Sequence, residues 1–309
     1  MSTLAGIIAR RTPVLTEGSV YEILRRDSRV QFDPHIAHAG LIYDEHAREL
    51  LADIHRRYLD IARGHGLPFL AFTDTWRASE ERIAASRFRD RPVNRDNVAF
   101  LREILGGAPE TFLGALTGPR GDAYRPGEAP GFDEALRLHA FQIEELAASS
   151  VDLLMASTLP AFPEAKAIAH LMARGAVPWM LSFVVRPEGT LLDGTPLADA
   201  IASIDDATPV PPLGYSINCV HPTIAQRALA TMPLETRRRV IAFQGNTSTL
   251  APEELDGAPE IDTMEPGAFA KAIAALRASS EVCVVGGCCG TDERHMRALS
   301  ESDPFTIAG

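Results

Sequence analysis

Short apolar runs recur along the chain, each giving way to a longer stretch whose apolar positions return every three or four residues. The runs are Pro13–Thr16, Leu67–Phe72, Thr111–Leu116, Val151–Ala156, Val177–Val184, Gly214–Cys219, Val240–Phe243 and Val282–Val285. Their length and their β-branched and aromatic content predict buried strands. Between them, Asp44–Arg63 is the clearest helix. Leu50, Leu51, Ile54, Tyr58 and Ile61 fall near one face, Arg and Glu take the other, and Gly64 and Gly66 end it. Phe132–Ser149 repeats the pattern through Leu136, Phe141, Ile143 and Leu146, with acids near its start. Asn97–Leu105, Pro163–Arg174, Leu197–Ile204, Gly267–Ser279 and Asp292–Leu299 read as further helices, and another begins just past Pro222. Phe32–Gly40 reads as a loop, Ser79–Arg95 as a polar helix-loop, and Pro126–Pro130 and the acidic Glu253–Pro266 as turn-rich. Strand-to-helix units repeated eight times predict an α/β fold, a single (β/α)8 TIM-type barrel spanning residues 1–309 as one domain. A doubly wound sheet is the rival, but no Gly-x-Gly-x-x-Gly follows the first strand.

Composition narrows the partners. A chain of 309 residues, 46% hydrophobic, can bury a large core. With 30 basic against 41 acidic residues the net charge of −11 argues against nucleic acid or an anionic membrane surface. No apolar run approaches the ~20 residues of a membrane span. The four cysteines, with no secretory pattern in Met1–Arg11, predict a reduced, cytoplasmic protein. Its partners are then small molecules, and a homo-oligomer stays open.

The chemistry gathers near the C-terminus, where the last strand breaks into Gly286-Gly287-Cys288-Cys289-Gly290-Thr291. A disulfide between adjacent cysteines closes a strained ring, so a structural bridge is disfavoured. Two neighbouring thiolates suit a soft metal ion better, but two sulfurs do not complete a tetrahedral zinc site. A third is offered by Cys219, at the end of Gly214–Cys219. Three thiolates leave zinc's fourth position open for a substrate. A lone cysteine is more often a small buried hydrophobe; Cys219 taken alone fits that reading, and Cys283, inside its apolar run, fits it best. His35 and His38 invite a metal reading that lacks a third ligand.

Gly-Gly-Cys-Cys-Gly-Thr after an apolar strand, with Ile217-Asn218-Cys219 upstream, resembles the zinc-dependent homocysteine S-methyltransferases. That family includes S-methylmethionine-, betaine- and folate-dependent enzymes, and the likeness runs over most of the chain. It implies a (β/α)8 barrel in which Cys219, Cys288 and Cys289 hold Zn2+ at the catalytic centre. It also implies substrate contacts from Glu17, Gly18, Thr73, Asp74, Ser157, Thr158, Asn218 and Asn246. Glu17-Gly18 takes the place of the family's Asp-Gly, though such a carboxylate also caps turns. Thr73–Trp76 stands where relatives carry Thr-Asn-Thr-Phe, with Trp76 either at the pocket mouth or in the core. Thr117–Gly121 is similar to a Gly-Pro-x-Gly loop, and Gln244–Thr247 to Pro-Asn-Ser/Thr.

A free thiol, with a pKa near ~8.5, is mostly protonated at neutral pH. Zinc ligation deprotonates it, and an all-sulfur ligand set keeps the site electron-rich. The expected activity is methyl transfer from an onium donor (S-methylmethionine, S-adenosylmethionine or betaine class) to a thiol. With homocysteine as acceptor the product is methionine. The rivals are another thiol or selenol acceptor, and a ligand-binding barrel whose structural zinc takes His221 or His295 as fourth ligand. Ser157 departs from the family's Glu, which helps hold the homocysteine ammonium. Either Glu17 and Asp74 take over that charge, or the acceptor carries a different head group.

Overall fold

The computed structural model describes residues 2–250, 254 and 263–302; the acidic stretch predicted to be turn-rich falls mostly outside them. Eight strands pair in sequence order, all parallel, and close on themselves. They are β1 (Val14–Thr16), β2 (Phe69–Phe72), β3 (Thr111–Thr117), β4 (Leu153–Leu159), β5 (Trp179–Phe183), β6 (Gly214–Asn218), β7 (Val240–Gly245) and β8 (Val284–Gly287). The seam between first and last strand pairs Val14 with Val284 and Leu15 with Val285. The fold is therefore the expected TIM-type barrel.

Strand alternation divides the apolar side chains between two cores. In β2, Phe69 and Ala71 face outward, packing with Leu51, Ile54 and Tyr58 of the helix Glu45–Gly64. Leu70 and Phe72 face inward with Phe112, Leu153, Met155 and Met180. Leu4, Ile7 and Ile8 join that inner core from a helix over Leu4–Ala9, which the sequence reading missed. Their neighbours stand near the strand starts, so the helix plugs that end of the barrel. The ends of the strands stay open for a site.

Several boundaries move. Asp44 and Asp292 are not the first turns of their helices but the caps, accepting from Ala47 N at 2.9 Å and Arg294 N at 2.9 Å. The predicted Asn97–Leu105 helix starts earlier, as Val93–Leu105, and Glu80–Ala85 is the helical part of the Arg-rich segment. β4 runs on through Ser157 and Thr158, which the sequence placed beyond it. His38 opens a 3-10 helix, His38–Tyr43, within the predicted loop. Cys283 packs in the inner core, 2% exposed, as expected. Among the described residues no helix is long and apolar enough to cross a membrane.

Candidate active site

β6 and β8 deliver the three cysteines to one point. Their sulfurs all lie within 4.8 Å of one another, with Cys219 Sγ 2.8 Å from Cys288 Sγ and 3.5 Å from Cys289 Sγ. The backbone is shaped for this. Cys219 sits at φ 58°, in the left-handed region, a strained setting for a residue with a side chain. A Cβ on Gly286 would come 1.9 Å from Thr16 Oγ1, so only glycine lets β8 approach the end of β1. Hydrogen bonding with the Cys288 and Cys289 thiols holds Cys219 well below the ordinary thiol range, and the contacts with Cys219 push those two above it. Crowded together, the sulfurs oppose one another's ionisation, and a bound cation would let all three ionise. The donor set fits a soft divalent metal with one position left open. His221 Nδ1 turns to cap its own helix at Thr223, and His295 is engaged by Asp292 and by Met264 O. Neither belongs to the sulfur cluster.

Each residue expected at the site lines one cavity of about 530 Å³ with the cysteines. Glu17 does not cap the following turn. Its Oε2 accepts from Phe72 N at 3.0 Å, and its Oε1 meets Nδ1 of His55. His55 Nε2 reaches Asp74 Oδ2 at 3.0 Å, while Asp74 Oδ1 faces His38 Nε2 at 3.2 Å. His35 and His38 thus do not form a metal site; His38 serves a carboxylate instead. Burial opposes charge on His55, but attraction to Glu17 and Asp74 outweighs it and pushes the ring up to about 10. Burial likewise works against the Asp74 carboxylate, yet His55 and His38 hold it well below the usual range. The corner thus sets two buried carboxyl groups around His55, with His38 as a further partner of Asp74.

The remaining residues hold the strand ends together. Asn218 Oδ1 accepts from Thr158 N at 3.0 Å and from Ser182 Oγ at 2.6 Å, and its amide donates to Thr158 Oγ1 at 2.9 Å. Thr73 Oγ1 receives Leu116 N at 2.9 Å, and Asn246 Oδ1 receives Ser248 N at 2.8 Å. Gly18 is pressed against Tyr58, whose hydroxyl would lie 2.7 Å from a Cβ there. Ser157 is neutral and 7% exposed; its carbonyl accepts from Trp76 Nε1 at 3.2 Å. Trp76 is half-buried at the cavity wall, which settles its place at the pocket and not in the core.

Sequence reasoning missed His55, Tyr124 and Arg77. His55 had a signal: four residues past Leu51 and three before Tyr58, it is a polar residue on the apolar face of its helix. The Tyr124 hydroxyl lies 3.0 Å from Cys219 Sγ, reached from the loop after β3. No pattern in that loop marks it.

The class is that of a closed parallel α/β barrel with three thiols, able to hold a metal ion, converging at the strand ends. A family model described as homocysteine S-methyltransferase matches residues 14–302, and the chain belongs to that family. It is 27% identical over 217 residues to the homocysteine S-methyltransferase YbgG of Bacillus subtilis (strain 168), covering 67% of this chain and 66% of that protein. It is 36% identical over 191 residues to the homocysteine S-methyltransferase of Escherichia coli (strain K12), covering 56% of this chain and 59% of that protein. These matches span 66% and 59% of the relatives' lengths, less than two thirds in each case. Among solved structures, the metallated form of the homocysteine methyltransferase MmuM from Escherichia coli superposes with a TM-score of 0.74 at 20% identity, covering 94% and 97% of the two chains. Its oxidized form gives 0.72 at 21%. At that identity the likeness speaks to the fold.

Proposed function

We propose that this protein is a zinc-dependent S-methyltransferase that moves a methyl group from an onium donor to a thiol, with homocysteine as the first acceptor to test. The observation that carries the reading is the convergence of Cys219, Cys288 and Cys289 within 4.8 Å at the open end of a barrel of this family. Held by three thiolates, zinc would let an incoming thiol ionise at neutral pH and keep its sulfur nucleophilic.

The chain's own residues do the rest. Gly286 and Gly287 bring β8 close enough for both of its cysteines to reach Cys219. Tyr124 supports Cys219 with a hydroxyl at 3.0 Å, the kind of outer contact that orients a ligand sulfur. Tyr21 and Tyr124 offer aromatic faces in the same cavity, surfaces that attract a sulfonium or quaternary ammonium. The Glu17–His55–Asp74 corner brings two carboxyl groups to the cavity, the acidic partners that an ammonium group would need. All of this serves to bring acceptor and donor together in line.

A structural zinc with four protein ligands is the competing reading, and nothing favours it: the described residues cluster three donors, not four. The deciding experiment loads the purified protein with zinc and follows S-methyl products from several thiols against S-methylmethionine, S-adenosylmethionine and betaine. A fully zinc-loaded protein that methylates no thiol with any donor would sink the proposal.

A further inference from the structure

We infer that Arg77 and Arg82 form a carboxylate-binding subsite in the cavity that holds the three cysteines; this rests on the thiol-methylation reading above and names the kind of substrate taken.

Arg77 follows Trp76 on the loop after β2, and its guanidinium stacks 4.2 Å from the centre of the Trp76 ring. Its Nη1 donates to Pro119 O at 3.3 Å and Gly121 O at 2.5 Å. Arg82, on the helix Glu80–Ala85, donates to His35 O at 3.0 Å and Arg120 O at 2.9 Å. Backbone carbonyls therefore hold both side chains in place without neutralising either. Both line the cavity. Arg25 and Arg26, the other two arginines there, pair with Glu22. Among the described residues neither Arg77 nor Arg82 has an ion-pair partner. Burial, reinforced by repulsion from Arg82, pushes Arg77 down to about 10, although Asp122 pulls the other way.

The geometry favours a planar anion. With Nη1 committed to carbonyls, Arg77 keeps Nε and Nη2 without a protein partner among the described residues. Two parallel N–H donors on one edge match the two oxygens of a carboxylate. Charge points the same way. A cationic methyl donor entering beside an unneutralised guanidinium is repelled unless a carboxylate comes with one of the substrates. No cavity acid pairs with Arg77: Glu17 and Asp74 are engaged by His55, His38 and Phe72 N, Glu22 pairs with Arg25 and Arg26, and Asp122 attracts Arg77 without forming an ion pair. The same β3 loop that Arg77 grips carries Tyr124 to Cys219, which puts the subsite and the sulfur cluster on one cavity wall.

The test uses the zinc-loaded protein and acceptors that differ in one group: homocysteine, 4-mercaptobutanoate without the ammonium, and 3-aminopropane-1-thiol without the carboxylate. Donors are varied in parallel, S-methylmethionine against trimethylsulfonium. If the acceptor brings the carboxylate, 3-aminopropane-1-thiol shows a KM raised roughly tenfold or more over homocysteine. That gap closes in Arg77→Gln and narrows in Arg82→Gln, whose melting temperatures report that they fold. If the donor brings it, the gap appears in the donor series instead and closes in the same variants. KM values that ignore the carboxylate in both series overturn the inference while methylation proceeds. If no thiol is methylated, the reading beneath has failed. Calorimetric binding of homocysteine and 3-aminopropane-1-thiol then decides the subsite alone, and equal affinities overturn it.

Discussion

His55 Nε2 and Asp74 Oδ2 lie 3.0 Å apart where the two side chains are 1% and 4% exposed. Because the ring also meets Glu17, one imidazolium neutralises part of two buried carboxylates. The folded His55 pKa of about 10 lies above the ordinary value of 6.5. Its stabilisation is therefore complete below about pH 6.5 and lost as pH rises through 10. Asp74, depressed in the fold, acts oppositely: its contribution is present above the ordinary carboxylate range and lost in acid. His55→Gln should cost about 3–5 kcal/mol near neutrality by stranding buried charge. Denaturant unfolding at a series of pH values checks both points. The wild-type advantage should shrink from pH 7 to 10, at up to about 1.4 kcal/mol per pH unit. A constant difference would mean that the ring is neutral in the fold.

Zinc content is the second measurement. The protein should bind about one zinc per chain, and Cys219→Ala, Cys288→Ala or Cys289→Ala should each lose most of the metal and all thiol methylation. Cys283→Ala, in the inner core, should cost only about 1 kcal/mol of packing and keep the metal. Full zinc retention in the Cys288→Ala, Cys289→Ala double variant would contradict the assignment.

The barrel was legible because its signals are local: β-branched runs, helical periodicity and glycine punctuation act within a few residues. The cysteine pair was legible because burial alone explains neither neighbour. What escaped depends on distance along the chain. His55 meets partners 38 and 19 residues away, and Tyr124 meets Cys219 across 95. A local pattern marks His55 as a polar residue on an apolar face, but none encodes the distant partners it meets. The helix Leu4–Ala9 escaped for a related reason: six residues are too few to stand alone, and its apolar side chains are fixed by the barrel floor. Glu17 and Asp74 were placed at the site, but their engagement with histidines was invisible without the fold.

Tyr124 provides a third test. Its hydroxyl is half-buried and close enough to Cys219 Sγ to orient that sulfur. Tyr124→Phe should leave the fold and the zinc stoichiometry intact at saturating metal. Zinc affinity or methylation should fall about 10-fold or more, the usual cost of losing such an outer contact. A competition assay with a chelating dye, alongside steady-state kinetics, gives both numbers. No change in either would reduce Tyr124 to a wall of the cavity.

Ser157→Glu is the most discriminating substitution because it tests charge at the point where the resemblance leads one to expect a carboxylate. Ser157 lines the cavity, neutral and nearly buried, with its Oγ 3.4 Å from Thr158 Oγ1. A carboxylate there would offer a second anion to any ammonium and would compete for the Arg77 guanidinium. For homocysteine these effects partly cancel, since its ammonium gains while its carboxylate loses. Its KM should hold or fall. For 4-mercaptobutanoate only the loss remains, and KM should rise about 10-fold, the scale of one charge-assisted hydrogen bond. Steady-state kinetics with both thiols on one zinc-loaded preparation separates the cases. Homocysteine use gained outright, in a protein that otherwise ignores it, would show that the wild-type cavity is made for a different head group. A rise in KM for homocysteine would instead place its ammonium away from Ser157, against the Glu17–His55–Asp74 corner.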